Sequence, residues 1–100
     1  MKVRYHSVNF TADLKMLNFV QTKLNKLDVF CKDILRVDAY FKVEPLSDKG
    51  NKLVEIKLRV PGKEFVVKKY SKSFESAIND ARQALKRSLI KYKDKLKIAN

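Results

Sequence analysis

Residues 54–67 read VEIKLRVPGKEFVV. Val54, Ile56, Leu58 and Val60 alternate with Glu55, Lys57 and Arg59, the period of a strand with one dry face and one wet face. Val60-Pro61-Gly62-Lys63 then places Pro and Gly where a type II turn needs a fixed φ followed by a positive one. A tight hairpin is predicted. Its second strand lies near Glu64 to Tyr70, where Phe65, Val66 and Val67 run together but Phe65 and Val67 can share the core face. Strands apolar on one side only call for a covering layer on that side and water on the other.

Upstream, Leu35, Val37, Ala39, Phe41 and Val43 alternate with Arg36, Asp38, Tyr40, Lys42 and Glu44 until Pro45 and LSDKGN (46–51) interrupt as a loop. Near the start, Val3 and Tyr5 alternate with Lys2, Arg4 and His6, a short first strand. Two helical patterns supply the cover. Thr11 is placed to cap the first, with Asp13 in its first turn, and Leu14, Leu17, Val20, Leu24, Leu27 and Cys31 recur at spacings of three or four over about five turns. Ser73 caps the second, Glu75 suits its first turn, and Phe74, Ile78, Ala81, Leu85, Leu89, Tyr92 and Leu96 form its apolar stripe. The order is β-α-β-β-β-α. The fold class is α+β, a four-stranded sheet with two helices packed on one face, and residues 1–100 make a single domain without repeat or linker.

The chain carries 23 Lys and Arg against 11 Asp and Glu, a formal net charge of +12. Such self-repulsion is relieved by a polyanionic partner, nucleic acid first. On a wheel of the second helix, Arg82, Lys86, Lys93 and Lys97 fall in one sector beside the apolar stripe, with Arg87 and Lys91 farther round. Lysines beside a stripe often do no more than solubilise a helix. Here few acids stand four residues away to neutralise them, the first helix adds Lys15, Lys23 and Lys26, and the whole-chain excess exceeds what solubility needs. With both helices on one face of the sheet, these bases form one surface suited to RNA phosphates and to recognition by shape.

Other chemistries find little support. His6 is the only histidine, so a multi-histidine metal site is excluded, and the lone Cys31 falls on the apolar side of its helix. Asp38, Glu44 and Glu55 read as a polar sheet face rather than an acid–base pair. With two glycines and no nucleophile arrangement, no enzyme, cofactor or small-molecule substrate is expected. Tyr40 and Tyr70 could stack on bases, but cross-strand packing is the better reading. No segment approaches the apolar length of a membrane span or a signal peptide, so no membrane partner and a cytoplasmic location are expected.

The ordered set TADL (11–14), FVQTKLNKL (19–27), KVE (42–44), AI (77–78) and LIKYKDKL (89–96) resembles the ribosome hibernation promoting factors, also called ribosome-associated inhibitor or sigma-54 modulation proteins, in their short form. The resemblance runs nearly end to end. It implies a fold similar to double-stranded-RNA-binding domains and binding to the small (30S) ribosomal subunit and its 16S rRNA, in the channel where mRNA and tRNA anticodon stems sit. Translation would be inhibited under stress or in stationary phase by occupancy, without chemistry. By position in the matching segments, it implies rRNA-binding roles for Lys23, Lys26, Arg82, Lys86, Arg87, Lys91, Lys93 and Lys95. Family members often have Gly after the first strand, Asp after the Ala-Ile pair and Gln before the residue matching Leu89, where this chain has Ser7 or Val8, Asn79 and Ser88. Long members add a C-terminal dimerisation domain that is not expected in this chain, and ribosome dimers through an additional factor and silencing of single ribosomes both stay open. The alternative is a general structured-RNA-binding protein or RNA chaperone.

Overall fold

The order of elements is β1 (Val3–Val8), α1 (Leu14–Asn25), a 3-10 turn (Lys26–Val29), β2 (Arg36–Val43), β3 (Lys52–Val60), β4 (Lys63–Ser71) and α2 (Phe74–Ala99). It is seen in a computed structural model that describes residues 1–8, 10–45, 48 and 50–99, with residues 97–99 described by their backbone alone. Much of the expected 46–51 loop and the side chain of Lys97 therefore lie outside the described residues.

The four strands pair in the order β1-β2-β3-β4. β1 is parallel to β2, which requires the crossover that α1 supplies, while β2, β3 and β4 are successively antiparallel. Register turns the sequence alternation into continuous apolar rows. Val3 lies opposite Val37, Val37 opposite Leu58, and Leu58 opposite Phe65; Ala39, Ile56 and Val67 form the next row. Both helices press on this one face, where Val20, Leu24 and Leu27 meet Ile78, Ala81, Leu85 and Leu89 in a single core. Each of the Val, Leu and Ile side chains, once fully buried, contributes roughly 1.5–3 kcal/mol before conformational entropy is charged against it. At one end the core is aromatic: Phe74 stacks on Phe10 at 4.9 Å and meets Phe41 edge-on at 5.7 Å.

Pro61 and Gly62 form the expected hairpin turn, with φ of +79° at Gly62. The second glycine is also required by its surroundings. Gly50 has φ of +125°, and the backbone of Ser71 and Lys72 fills the place a Cβ would take.

The differences from expectation are at the ends of elements. Asp13, not Thr11, caps α1, accepting the Met16 backbone N–H at 2.8 Å. The first helix is shorter than five turns, because after Asn25 the backbone tightens into the 3-10 turn; the Cys31 N–H still reaches the Leu27 carbonyl at 3.2 Å, and both side chains stay buried. Leu14 is 71% exposed. The two successive spacings of three from Leu14 to Val20 turn the row back by about 120°, so Leu14 cannot share a face with Val20 and Leu24. Leu35 is also exposed, lying one residue before β2. Leu96 is 40% exposed because the 26 residues of α2, about 39 Å at 1.5 Å each, outrun nine-residue strands of about 30 Å.

Candidate nucleic-acid interface

The two helices run side by side in the same direction. Met16 and Phe19 near the start of α1 line one hollow with Phe74 and Glu75 at the start of α2, while farther along Phe30 lies under Lys86 and Asp33 beside Lys93. Both N-terminal ends therefore lie together. Acids belong there, and Asp13 and Glu75 occupy the two first turns or caps, whereas bases accumulate toward the C-terminal ends, where the helix dipoles favour positive charge.

Arg82, Lys86 and Lys93 share the sector of α2 that turns toward α1, as Lys86 over Phe30 and Lys93 beside Asp33 show, and Lys23 of α1 and Lys26 of the 3-10 turn add bases from the neighbouring elements. The side chains are held by packing more than by acids. Lys86 Nζ sits over the Phe30 ring, 5.1 Å from its centroid, and Lys23 Nζ over Phe19 at 5.3 Å. Lys93 Nζ approaches Asp33 at 3.8 Å, and among the described residues this is the one ion pair made by a base of α2. Arg82 has its Nε buried without a hydrogen-bond partner among the described residues. An orphaned guanidinium donor is costly to fold around.

The other three candidates lie elsewhere on α2. Lys91 and Lys95 are on its far flank, where they join Lys63 of the hairpin around Phe65, Ser88 and Tyr92. Arg87 is exposed on the back of the helix, between the flanks. The eight candidates thus form a seam group of five, a flank group of two and one base between. Lys63 is not among the bases that the sequence singles out. The wheel shows that Lys91 and Lys95 leave the seam, but only the packing of α2 on the β3–β4 hairpin shows what they meet.

The opposite face of the sheet has a different character. Arg36 Nε donates to Asp38 Oδ2 at 2.8 Å, and His6 Nε2 lies 3.1 Å from Oδ1. The Arg36 hydrogen bond, with the His6 contact adding to it against the opposing effect of burial, lowers the Asp38 pKa. Tyr40 is already occupied, stacked on His6 at 4.4 Å with Lys57 Nζ 5.3 Å from its ring, and Tyr70 donates to Glu44 at 3.0 Å. The tyrosines pack across strands, as expected. That leaves no free aromatic platform at Tyr40 for a base.

Among the described residues no cluster of three or more potential metal ligands occurs, and no helix is long and apolar enough to cross a membrane. Residues 3–97 match the model of a family described as sigma 54 modulation protein / S30EA ribosomal protein. No curated protein sequence matches significantly. Among solved structures, the chain is similar to a ribosomal subunit interface protein from Coxiella burnetii, with a TM-score of 0.84 and 17% identity over 94% of this chain and 99% of that one. It is also similar to the N-terminal domain of Protein Y from Thermus thermophilus, with a TM-score of 0.78 and 19% identity over 92% and 99% of the two chains. At these identities the structural likeness establishes the fold.

Proposed function

The chain belongs to the sigma 54 modulation protein / S30EA ribosomal protein family, and from that premise we propose that it is a ribosome hibernation factor acting on the small (30S) subunit. It occupies the decoding channel through contacts with 16S rRNA, excludes mRNA and tRNA, and so inhibits translation under stress or in stationary phase. The observation that carries this reading is the basic seam between two parallel helices, in which Lys23, Lys26, Arg82, Lys86 and Lys93 meet a single acid, Asp33, at ion-pair distance among the described residues.

Physically the mechanism is occupancy. Hydrophobic packing of Leu24, Leu27, Leu85 and Leu89 fixes the register of the two helices, and that register fixes the spacing of the bases beside them. A rigid basic surface reads the shape of folded RNA through its phosphates, without needing base edges. No bond is made or broken, and the working compartment is the cytoplasm, where ribosomes are found.

The test is co-sedimentation with purified small subunits at moderate salt, with initiator tRNA and mRNA as competitors. Wild-type protein should co-sediment and be displaced by either. Replacing Lys86, Arg87, Lys91 and Lys93 together by Gln should abolish binding at unchanged circular dichroism, since none is in the core. Binding free duplex RNA as well as subunits would instead favour a general structured-RNA binder.

A further inference from the structure

The flank of α2 away from the seam carries a small pocket of about 210 Å³, lined by Lys63, Phe65, Ser88, Lys91, Tyr92 and Lys95. Its floor is aromatic and its rim is cationic. Phe65 and Tyr92 meet edge-on, with centroids 6.0 Å apart and planes at 82°, and three lysines surround them with no acid in the lining. The volume falls below the roughly 300–1,000 Å³ of ordinary small-molecule sites, so it admits one ring system rather than a larger ligand.

We infer that this pocket takes a single unpaired nucleotide of RNA, its base against Phe65 and Tyr92 and its flanking phosphates on Lys91, Lys95 and Lys63. This rests on the RNA-binding reading above and adds to it a contact with a base, outside the helix seam. Three features carry it.

The first is complementarity. An aromatic floor within a ring of ammonium groups matches a flat base joined to phosphates, because every base has a face that stacks on a side-chain ring. Lys91 and Lys95 stand one turn apart, about 6 Å along the axis, a step suited to successive backbone phosphates. The second is rigidity. The Tyr92 hydroxyl donates to the Pro61 carbonyl at 3.0 Å, tying helix to hairpin, and the turn at Gly62 sets where Lys63 begins β4. Those walls are built before any ligand arrives. The third is a displaceable cover. Lys63 Nζ sits over the Phe65 ring at 5.0 Å, a solvent-exposed cation–π contact weaker than the base stacking that would replace it. A phosphate would draw the ammonium outward as the base comes in.

The test uses the full chain and a single-stranded oligoribonucleotide carrying one 2-aminopurine, whose fluorescence is quenched on stacking, while anisotropy reports total binding. Quenching is expected with the single strand and not with the same sequence in a duplex. The free 2-aminopurine ribonucleotide should bind at least tenfold more weakly; equal binding would reassign the pocket to free nucleotides. Phe65→Leu should remove the quenching, and Lys91→Gln with Lys95→Gln, both exposed and safe for folding, should lower the slope of log K against log salt by about 1.4. Absence of quenching, or quenching and slope unchanged in both variants, overturns the inference. Co-sedimentation of wild-type protein with small subunits, run in parallel, separates that failure from failure of the proposed function.

Discussion

Two side chains show how one residue can be tested for what it is there to do. Arg82 is half-buried, its Nε unpartnered among the described residues, and burying such a donor costs about 1–3 kcal/mol. Arg82→Met keeps the aliphatic packing and removes both the orphan donor and the charge. Its melting temperature should equal or exceed that of the parent while subunit binding weakens; a lower melting temperature would mean that the guanidinium serves the fold. Asp38 is the opposite case, a carboxylate whose lowered pKa marks a structural partner, chiefly Arg36. Its folded pKa lies below the unfolded value of about 3.9, so its contribution is present above that value and is lost as pH falls through the folded pKa. Asp38→Asn should therefore melt lower than the parent at pH 7, and thermal scans at successively lower pH should show the gap closing. A gap that persists in strong acid would contradict the ion-pair account.

For elements, caps and turns decide more than interiors. Ser73 Oγ accepts the Ser76 N–H at 3.1 Å at the start of α2, the helix that carries most candidate bases, and Ser73→Ala should cost about 1 kcal/mol in denaturant melts. Gly50→Ala should cost more, since it combines a strained φ with a clash against the Ser71–Lys72 backbone. Equal stability of the parent and Gly50→Ala would refute that packing. These positions also mark the limit of what was legible beforehand. Alternation gave every strand and the helical stripes gave both helices, because burial imposes those periods directly. The tightening at Lys26 and the exposure of Leu96 depend on where neighbouring elements stop, which no local period records, whereas the cap at Asp13 and the exposure of Leu14 are local and turn on where the helix begins. The candidate site divides in the same way. Arg82, Lys86 and Lys93 could be placed together on a wheel, whereas the company of Lys91 and Lys95 with Lys63 depends on which strand lies beside the helix.

For the whole molecule, the question is whether +12 acts as one diffuse charge or as a sided one. The outer sheet face mixes its signs: Arg4, Arg36, Lys42, Lys57, Arg59 and Lys68 stand among Asp38, Glu44, Glu55 and Glu64, several in direct pairs. The helix layer carries acids too, Asp13, Asp28, Asp33, Glu75, Asp80 and Asp94, but among the described residues only Asp33 pairs with a base of the seam. The shortest dimension of the protein is 18 Å, while screening at physiological salt acts over about 8 Å, so bases on the sheet face hardly reach a partner held by the helices. Lys57→Gln with Lys68→Gln should accordingly leave the salt dependence of subunit binding nearly unchanged. Lys86→Gln with Lys93→Gln removes the same net charge from the seam, and should lower the slope of log K against log salt by roughly 1.4–1.8 between 50 and 200 mM. Because the two double variants have equal net charge, a difference between them can only come from where the charge sits. Equal losses in both would show that the protein binds through its overall charge and that the seam has no special standing.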